Sequence, residues 1–143
     1  MRAYTTTRRV LLVEDNELVL KALASELGQV YEVVEARTGE EALALLAQPG
    51  GFFDAIVSDY DLGMGASGAE VLERARRRLP SSLCVLLVGA VRRELPVVEA
   101  CMADLLVKKP ARPGYLVATL RRQFLSKSLR HQAADLGVAL PSR

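Results

Sequence analysis

Three short apolar segments of this chain end in charged residues that could act together. The first segment runs into Glu14 and Asp15, the second ends at Asp59, and the third ends in Lys109, which precedes a proline. In a parallel sheet the carboxyl ends of such segments would meet at one edge. Three carboxylates and one ammonium group would then share a pocket, and such a pocket suits a divalent cation together with a phosphoryl group.

The elements that must position these residues are predicted from hydrophobic periodicity and from glycine and proline breaks. Predicted strands cover residues 10–14, 31–36, 55–58, 84–88 and 105–108, and predicted helices cover 17–27, 39–47, 69–79, 96–102 and 114–125. Apolar strands that alternate with helices are typical of a parallel sheet covered on both faces. We therefore predict an α/β fold, a doubly wound five-stranded parallel sheet with five helices in the flavodoxin-like order.

Composition excludes several other classes of protein. A chain of 143 residues fits one domain with a tail, and its formal net charge of +2 is too small to indicate nucleic-acid binding. The polar N-terminus has no leader-like segment, and no apolar stretch approaches the roughly 18 residues that span a membrane. Two distant cysteines, Cys84 and Cys101, and the single His131 cannot build a zinc or redox site. We expect a cytoplasmic protein that binds neither nucleic acid nor membranes.

Three motifs, in this order and at these intervals, resemble the receiver domain of two-component response regulators. They are VLLVEDN at residues 10–16, IVSD at 56–59 and KP at 109–110. The resemblance extends from about Arg8 to Leu125, so the expected receiver domain covers 8–125. We expect residues 126–143 to form a tail that extends the last helix by a turn or two and is then disordered.

The resemblance assigns chemistry to the residues at the predicted sheet edge. It implies that Asp59 is the phosphoacceptor and that its carboxylate becomes an acyl phosphate. Mg²⁺ would be held by the carboxylates of Glu14 (directly or through water), Asp15 and Asp59 and by the backbone carbonyl of Asp61. Lys109 would pair with Asp59 at rest and with the phosphoryl group afterwards. Any enzymatic activity would be at most Mg²⁺-dependent autophosphorylation and slow autodephosphorylation.

The resemblance also implies partners. A histidine kinase or a phosphotransfer protein would supply the phosphoryl group, and His131 is no candidate donor because it stands alone in the tail. The chain would be a single-domain response regulator that signals by protein contact, through the fourth helix, fifth strand and fifth helix. A homodimer contact in the tail, at residues 127–134, is a further expectation.

The chain departs from the family pattern at both ends of its usual switch. Gly89 stands where the family carries threonine or serine, and Leu106 stands where it carries tyrosine or phenylalanine. A backbone N–H at Ala90 could still bind a phosphoryl oxygen. The loop after Asp59 is unusually rich in glycine, with Gly63, Gly65 and Gly68.

These departures leave two alternatives open. In the first, Asp59 is phosphorylated and the signal takes another route. In the second, the chain is a phosphorylation-independent pseudo-receiver that acts as a docking or scaffold module. The presence of Glu14, Asp15, Asp59 and Lys109 together favours the first. Dinucleotide binding is disfavoured, because the Gly-x-Gly-x-x-Gly string at 63–68 follows the third predicted strand rather than the first.

Overall fold

The computed structural model describes residues 7–89 and 95–141. Strands and helices alternate along the described chain. The elements are β1 (Arg9–Val13), α1 (Glu17–Leu27), β2 (Glu32–Ala36), α2 (Gly39–Ala47), β3 (Ala55–Asp59), α3 (Gly68–Arg78), β4 (Leu83–Gly89), α4 (Val97–Ala100), β5 (Leu105–Lys109) and α5 (Tyr115–Asp135). The five strands form one parallel sheet in the order β2-β1-β3-β4-β5, which confirms the predicted fold.

The register of the sheet decides which side chains meet at its carboxyl edge. Val13 of β1 lies opposite Ser58 of β3, so the residues that follow, Glu14 and Asp59, become neighbours. On the other side of β3, Asp59 lies opposite Leu87 of β4. A parallel sheet is required for this arrangement, because only parallel strands bring their carboxyl ends to one edge.

The packing of the core explains why the sequences of the central strands are continuous apolar runs. One cluster of buried side chains joins one face of the sheet to α2 and α3, and its members include Leu11, Ile56, Leu72 and Leu86. Helix α1 lies beside β1 and β2, and its Leu20 and Leu27 are buried outside that cluster. Since both faces are covered, the central strands show little polar alternation.

Side chains at the helix starts hold the loops that carry the edge residues. The Asn16 side chain caps α1 by accepting bonds from the backbone N–H groups of Leu18 and Val19 at 3.0 and 3.2 Å. The side chains of Glu14 and Asp15 are therefore not needed to cap α1. The Thr38 side chain caps α2 by accepting from the N–H of Glu41 at 3.0 Å, and the Glu41 carboxylate in turn accepts from the N–H of Arg37 at 2.6 Å.

Two helices differ in length from the predictions. Helix α4 covers only Val97–Ala100, and Pro96 precedes it with an extended ψ of 135° instead of lying in its first turn. Helix α5 continues to Asp135, ten residues beyond Leu125, where the sequence predicts an extension of only a turn or two. It stops at Gly137, whose φ of +71° suits a helix C-terminus because glycine has no Cβ to clash there.

Two compact units divide the chain. The first ends at Ala111 and contains the whole sheet, and the second begins at Arg112 and contains α5. In the described part of the chain, no helix is both long and apolar enough to cross a bilayer. The domain boundary at residue 125 stays a prediction.

Gly68 offers a direct test of how tightly α3 packs on the sheet edge. A Cβ at this position would lie 2.1 Å from the backbone oxygen of Asp59. Because backbone cannot yield as a flexible side chain does, we expect Gly68→Ala to lower the free energy of unfolding by about 1–3 kcal/mol. Urea unfolding followed by circular dichroism measures the change.

Gly89→Ala is the matched control for this substitution. A Cβ at Gly89 meets no described residue within 4 Å, so the effect of this substitution on the free energy of unfolding should stay below about 1 kcal/mol. Equal stability of the two variants would contradict the close approach of α3 to Asp59.

Candidate functional site

The ammonium group of Lys109 lies between two carboxylates at the carboxyl edge of the sheet. Its Nζ donates to Glu14 Oε1 at 3.0 Å and Oε2 at 3.2 Å, and to Asp59 Oδ2 at 3.0 Å. Glu14 is fully buried and Asp59 is 5% exposed. The structure thus brings together three of the residues that the sequence predicts for the site, one from each of three strand ends.

Asp15 completes an acidic cluster beside this ion pair. One carboxylate oxygen from each of Glu14, Asp15 and Asp59 can be chosen so that all three lie within 4.8 Å of one another. Carboxylate oxygens are the ligands that Mg²⁺ prefers, and an exposed residue such as Asp15 leaves room for the waters that Mg²⁺ retains. One ammonium group against three carboxylates also leaves a negative excess, so the donor set fits a divalent cation.

Burial sets the protonation behaviour of this cluster. Desolvation and the nearby Asp59 carboxylate raise the pKa of Glu14 from 4.5 to about 7, against the opposing effect of Lys109. For Lys109, burial disfavours the charged form, but the hydrogen bonds with Glu14 and Asp59 outweigh it and raise its pKa. The lysine therefore stays charged, while Glu14 is the group that takes up a proton.

The loop after Asp59 is held by residues that the sequence analysis did not select. The N–H of Asp61 points to Asp59 Oδ1 at 3.3 Å. Farther along, the carboxylate of Glu40 in α2 accepts the N–H of Ala66 at 2.7 Å, and its oxygens lie where a Cβ on Gly65 would be. The acidic first turn of α2 was the available signal in the sequence, although it is ordinarily interpreted only as a favourable interaction with the helix dipole.

The two positions of the usual family switch are open. Among the residues that the structure describes, none lies within 4 Å of a Cβ built on Gly89, and the Leu106 side chain is 48% exposed. Ala90, whose N–H was expected to serve the phosphoryl group, lies outside the described residues. That the Asp61 backbone carbonyl is a Mg²⁺ ligand stays a prediction. The metal-binding role of the acidic cluster and the phosphoryl-binding role of Lys109 also stay predictions.

A tyrosine next to Asp59 makes a contact that the sequence analysis missed. Tyr60 is buried, and its hydroxyl donates a hydrogen bond to the carboxylate of Glu99 in α4. The sequence offered only the adjacency of Tyr60 to Asp59 as a signal, since its partner is 39 residues away. The contact joins the loop at the acidic cluster to a helix on the surface.

A mainly apolar cavity of about 560 Å³ opens beside Lys109. Its lining comes from α1, β4, the end of β5 and the segment that follows β5, with the residues Leu18, Val19, Ala22, Leu23, Leu87, Lys109, Pro110 and Ala111. Leu18 is 83% exposed and lies three residues after Asp15. An exposed apolar surface therefore borders the acidic cluster.

The raised pKa of Glu14 predicts a pH dependence of stability in the absence of metal. The folded protein keeps this proton up to about pH 7, whereas the unfolded chain releases it near 4.5. Glu14 therefore contributes stability that is present below pH 4.5 and lost as pH rises through about 7. The slope is at most about 1.4 kcal/mol per pH unit.

Urea unfolding in a chelator at several pH values between these limits measures this slope. Glu14→Gln cannot titrate, so the slope should be smaller in that variant than in the wild type. Identical pH profiles for both proteins would contradict the assignment.

Comparisons with known proteins agree on one family. The sequence profile described as the response regulator receiver domain matches residues 10–121. No curated protein matches the chain significantly by sequence.

Solved structures are similar over most of the chain. A CheY-like receiver domain protein from Methanospirillum hungatei JF-1 is 26% identical, with a TM-score of 0.78 over 87% of this chain and 99% of that one. The BeF3-activated DrrB receiver domain is 26% identical, with a TM-score of 0.71 over 82% of this chain and 97% of that one. The response regulator DrrB, a Thermotoga maritima OmpR/PhoB homologue, is 27% identical, with a TM-score of 0.73 over 86% of this chain and 54% of that one.

The fold, the acidic cluster with its lysine, and the profile match all indicate the same protein family. Each charged residue of the cluster lies where a motif of that family stands in the sequence. The profile covers well over half of the chain, and similar structures share the five-stranded sheet. This protein belongs to the response regulator receiver domain family of two-component signalling.

Proposed function

We propose that this receiver accepts a phosphoryl group on Asp59 from a phosphohistidine of a histidine kinase or phosphotransfer protein. The observation that carries the proposal is the bond from Lys109 Nζ to Asp59 Oδ2 at 3.0 Å, inside an acidic cluster that fits a divalent cation. Phosphoryl transfer needs positioning and charge neutralisation more than covalent assistance. A buried carboxylate with an ammonium group against it supplies both.

The reaction forms one bond and breaks another. An ionised carboxylate oxygen of Asp59 attacks phosphorus, an acyl phosphate forms, and the bond between phosphorus and the donor nitrogen breaks. The electron pair of that bond stays on the donor imidazole, which takes a proton. Lys109 donates hydrogen bonds to the added oxygens and offsets their charge. Water later attacks the same phosphorus, the bond between phosphorus and the Asp59 oxygen breaks, and inorganic phosphate leaves the restored carboxylate.

Receiver domains generally bind Mg²⁺ in an acidic pocket, and the residues here fit that ion. The carboxylates of Asp15 and Asp59 and the carbonyl of Asp61 would hold it, with Glu14 bound directly or through water. When bound, the ion offsets the negative charge that gathers on the phosphoryl oxygens. Lys109 donates to both Glu14 and Asp59, and these bonds direct its ammonium group at the proposed phosphoacceptor.

Two exposed apolar surfaces fit the protein contacts that this function requires. The side chain of Leu18 and the cavity along α1 border the acidic cluster, so a donor protein bound there would bring its phosphohistidine to Asp59. Val97 and Val98 of α4 are 76% and 72% exposed, which suits contact with a downstream partner.

Both cysteines are free, in keeping with a cytoplasmic location.

Replacing Asp59 tests the phosphoacceptor directly. Wild-type protein incubated with Mg²⁺ and acetyl phosphate should gain the mass of one phosphoryl group, and Asp59→Asn should gain none, because an amide cannot act as the nucleophile. Intact-mass spectrometry measures both. The loss of rate should exceed about a thousandfold and so fall below detection.

Asp54→Asn provides a matched control at the opposite end of the same strand region. Its carboxylate accepts the N–H of Arg9 at 2.7 Å, and an asparagine oxygen can do the same. This variant should be labelled like the wild type. Labelling that survives in Asp59→Asn would refute the assignment, and no labelling of wild type, together with no Mg²⁺ binding, would favour the phosphorylation-independent docking module.

Gly89→Thr tests the open switch position. The structure has room for the added side chain, and a threonine hydroxyl there would donate a further hydrogen bond to the phosphoryl group. We expect the acyl phosphate to hydrolyse about two- to tenfold more slowly, since one good hydrogen bond is worth roughly 0.5–1.5 kcal/mol.

Phosphoprotein lifetime, followed by intact mass after removal of the donor, measures this effect. Gly89→Ala adds a Cβ without a hydroxyl and serves as the control. Equal lifetimes for Gly89→Thr and Gly89→Ala, with no new chemical shifts by NMR, would count against the alignment of Gly89 with the switch position.

A further inference from the structure

The route from Asp59 to the protein surface must use groups other than the usual pair. Gly89 has no side chain, and Leu106 has neither an aromatic ring nor a polar group. Neither can exchange one hydrogen bond for another when the charge on Asp59 changes. A residue that contacts both the Asp59 backbone and a surface element could replace them.

Tyr60 provides the required contact with the backbone of Asp59, the proposed phosphoacceptor. It follows Asp59 directly, its N–H donates to the carbonyl of Leu87 at 2.8 Å, and its carbonyl accepts the N–H of Gly68 at 3.2 Å. Its side chain is 8% exposed and belongs to the core cluster. Because the backbone is held from both sides and the ring is packed, a movement of the peptide between Asp59 and Tyr60 must move the ring as a unit.

Glu99 meets the requirement on the side of the surface. It accepts the hydrogen bond from the Tyr60 hydroxyl, and it is the acidic residue in the first turn of α4. Hydrogen bonds to an ionised carboxylate are among the stronger ones in proteins. The residues just before it, Val97 and Val98, are exposed, so a shift of Glu99 changes the apolar surface that α4 presents.

We propose that the hydrogen bond between Tyr60 and Glu99 couples the phosphorylation state of Asp59 to the position of α4. The inference rests on the proposed phosphorylation of Asp59. Phosphorylation adds charge and oxygen atoms to that side chain and draws Lys109 away from its present partners. The peptide that joins Asp59 to Tyr60 then changes position, and the Tyr60 hydroxyl either keeps or breaks its hydrogen bond with Glu99. These are two discrete arrangements, as a switch requires.

Chemical shifts of the α4 amides, residues 97–100, test the coupling when recorded before and after phosphorylation with acetyl phosphate and Mg²⁺. In the wild type these amides should shift. Tyr60→Phe keeps the ring and removes only the hydroxyl. It should be phosphorylated to the same extent and with the same lifetime by intact mass, while most of the α4 response is lost. Glu99→Gln removes the charge and should weaken the response.

Tyr31→Phe is the matched control, because Tyr31 is also buried but precedes β2 at the far edge of the sheet. Its α4 response should equal that of the wild type. The double variant Tyr60→Phe with Glu99→Gln should lose no more of the α4 response than Tyr60→Phe alone, since both substitutions act on the same hydrogen bond. An unchanged α4 response in phosphorylated Tyr60→Phe, or no response in phosphorylated wild type, overturns the coupling alone. A wild type that takes up no phosphoryl group overturns both proposals.

Discussion

An ammonium group shared by two buried carboxylates organises the carboxyl edge of this sheet. Lys109 is 95 residues from Glu14 and 50 residues from Asp59 along the chain, yet all three bonds from its Nζ fall between 3.0 and 3.2 Å. Parallel strands make this possible, because their carboxyl ends end at one edge and in a fixed register. The helices and loops around the edge are arranged so that none of these three side chains is needed for capping.

Electrostatics makes this edge responsive to what binds there. Removing charges from water is expensive, and the attraction within the group offsets that cost only while every charge has a partner. Burial, together with the Asp59 carboxylate, raises the pKa of Glu14 by more than Lys109 lowers it. A divalent cation or a phosphoryl group would therefore change the charge balance of the whole cluster. The loop after Asp59 contacts this cluster at Asp61, whose N–H points to Asp59 Oδ1. The phosphoryl transfer proposed for this edge would use the same charges that hold the strand ends together.

The surroundings of Asp59 combine residues that match the receiver family with residues that depart from it. The acidic cluster and the lysine agree with the family pattern, whereas Gly89 at the carboxyl end of β4 and Leu106 in β5 do not. Gly89 itself has no side chain that could respond to a new charge. Tyr60, by contrast, is attached to Asp59 by a peptide bond and to α4 by its hydroxyl. A buried aromatic ring that ends in a hydroxyl suits such a link, because its body packs and its tip bonds.

The sequence by itself determined the alternation of strands and helices, the parallel sheet and the four charged residues at its edge. Hydrophobic runs broken by glycine and proline carry that information locally, so most predicted element boundaries lie within about two residues of those observed. The lengths of α4 and α5 were not determined in this way, because helix ends depend on neighbouring contacts. Tertiary structure alone decided which edge residues touch, how far burial moves the pKa of Glu14, and that Tyr60 reaches Glu99. Each of these depends on groups distant in sequence, and only packing brings such groups together and removes the water between them.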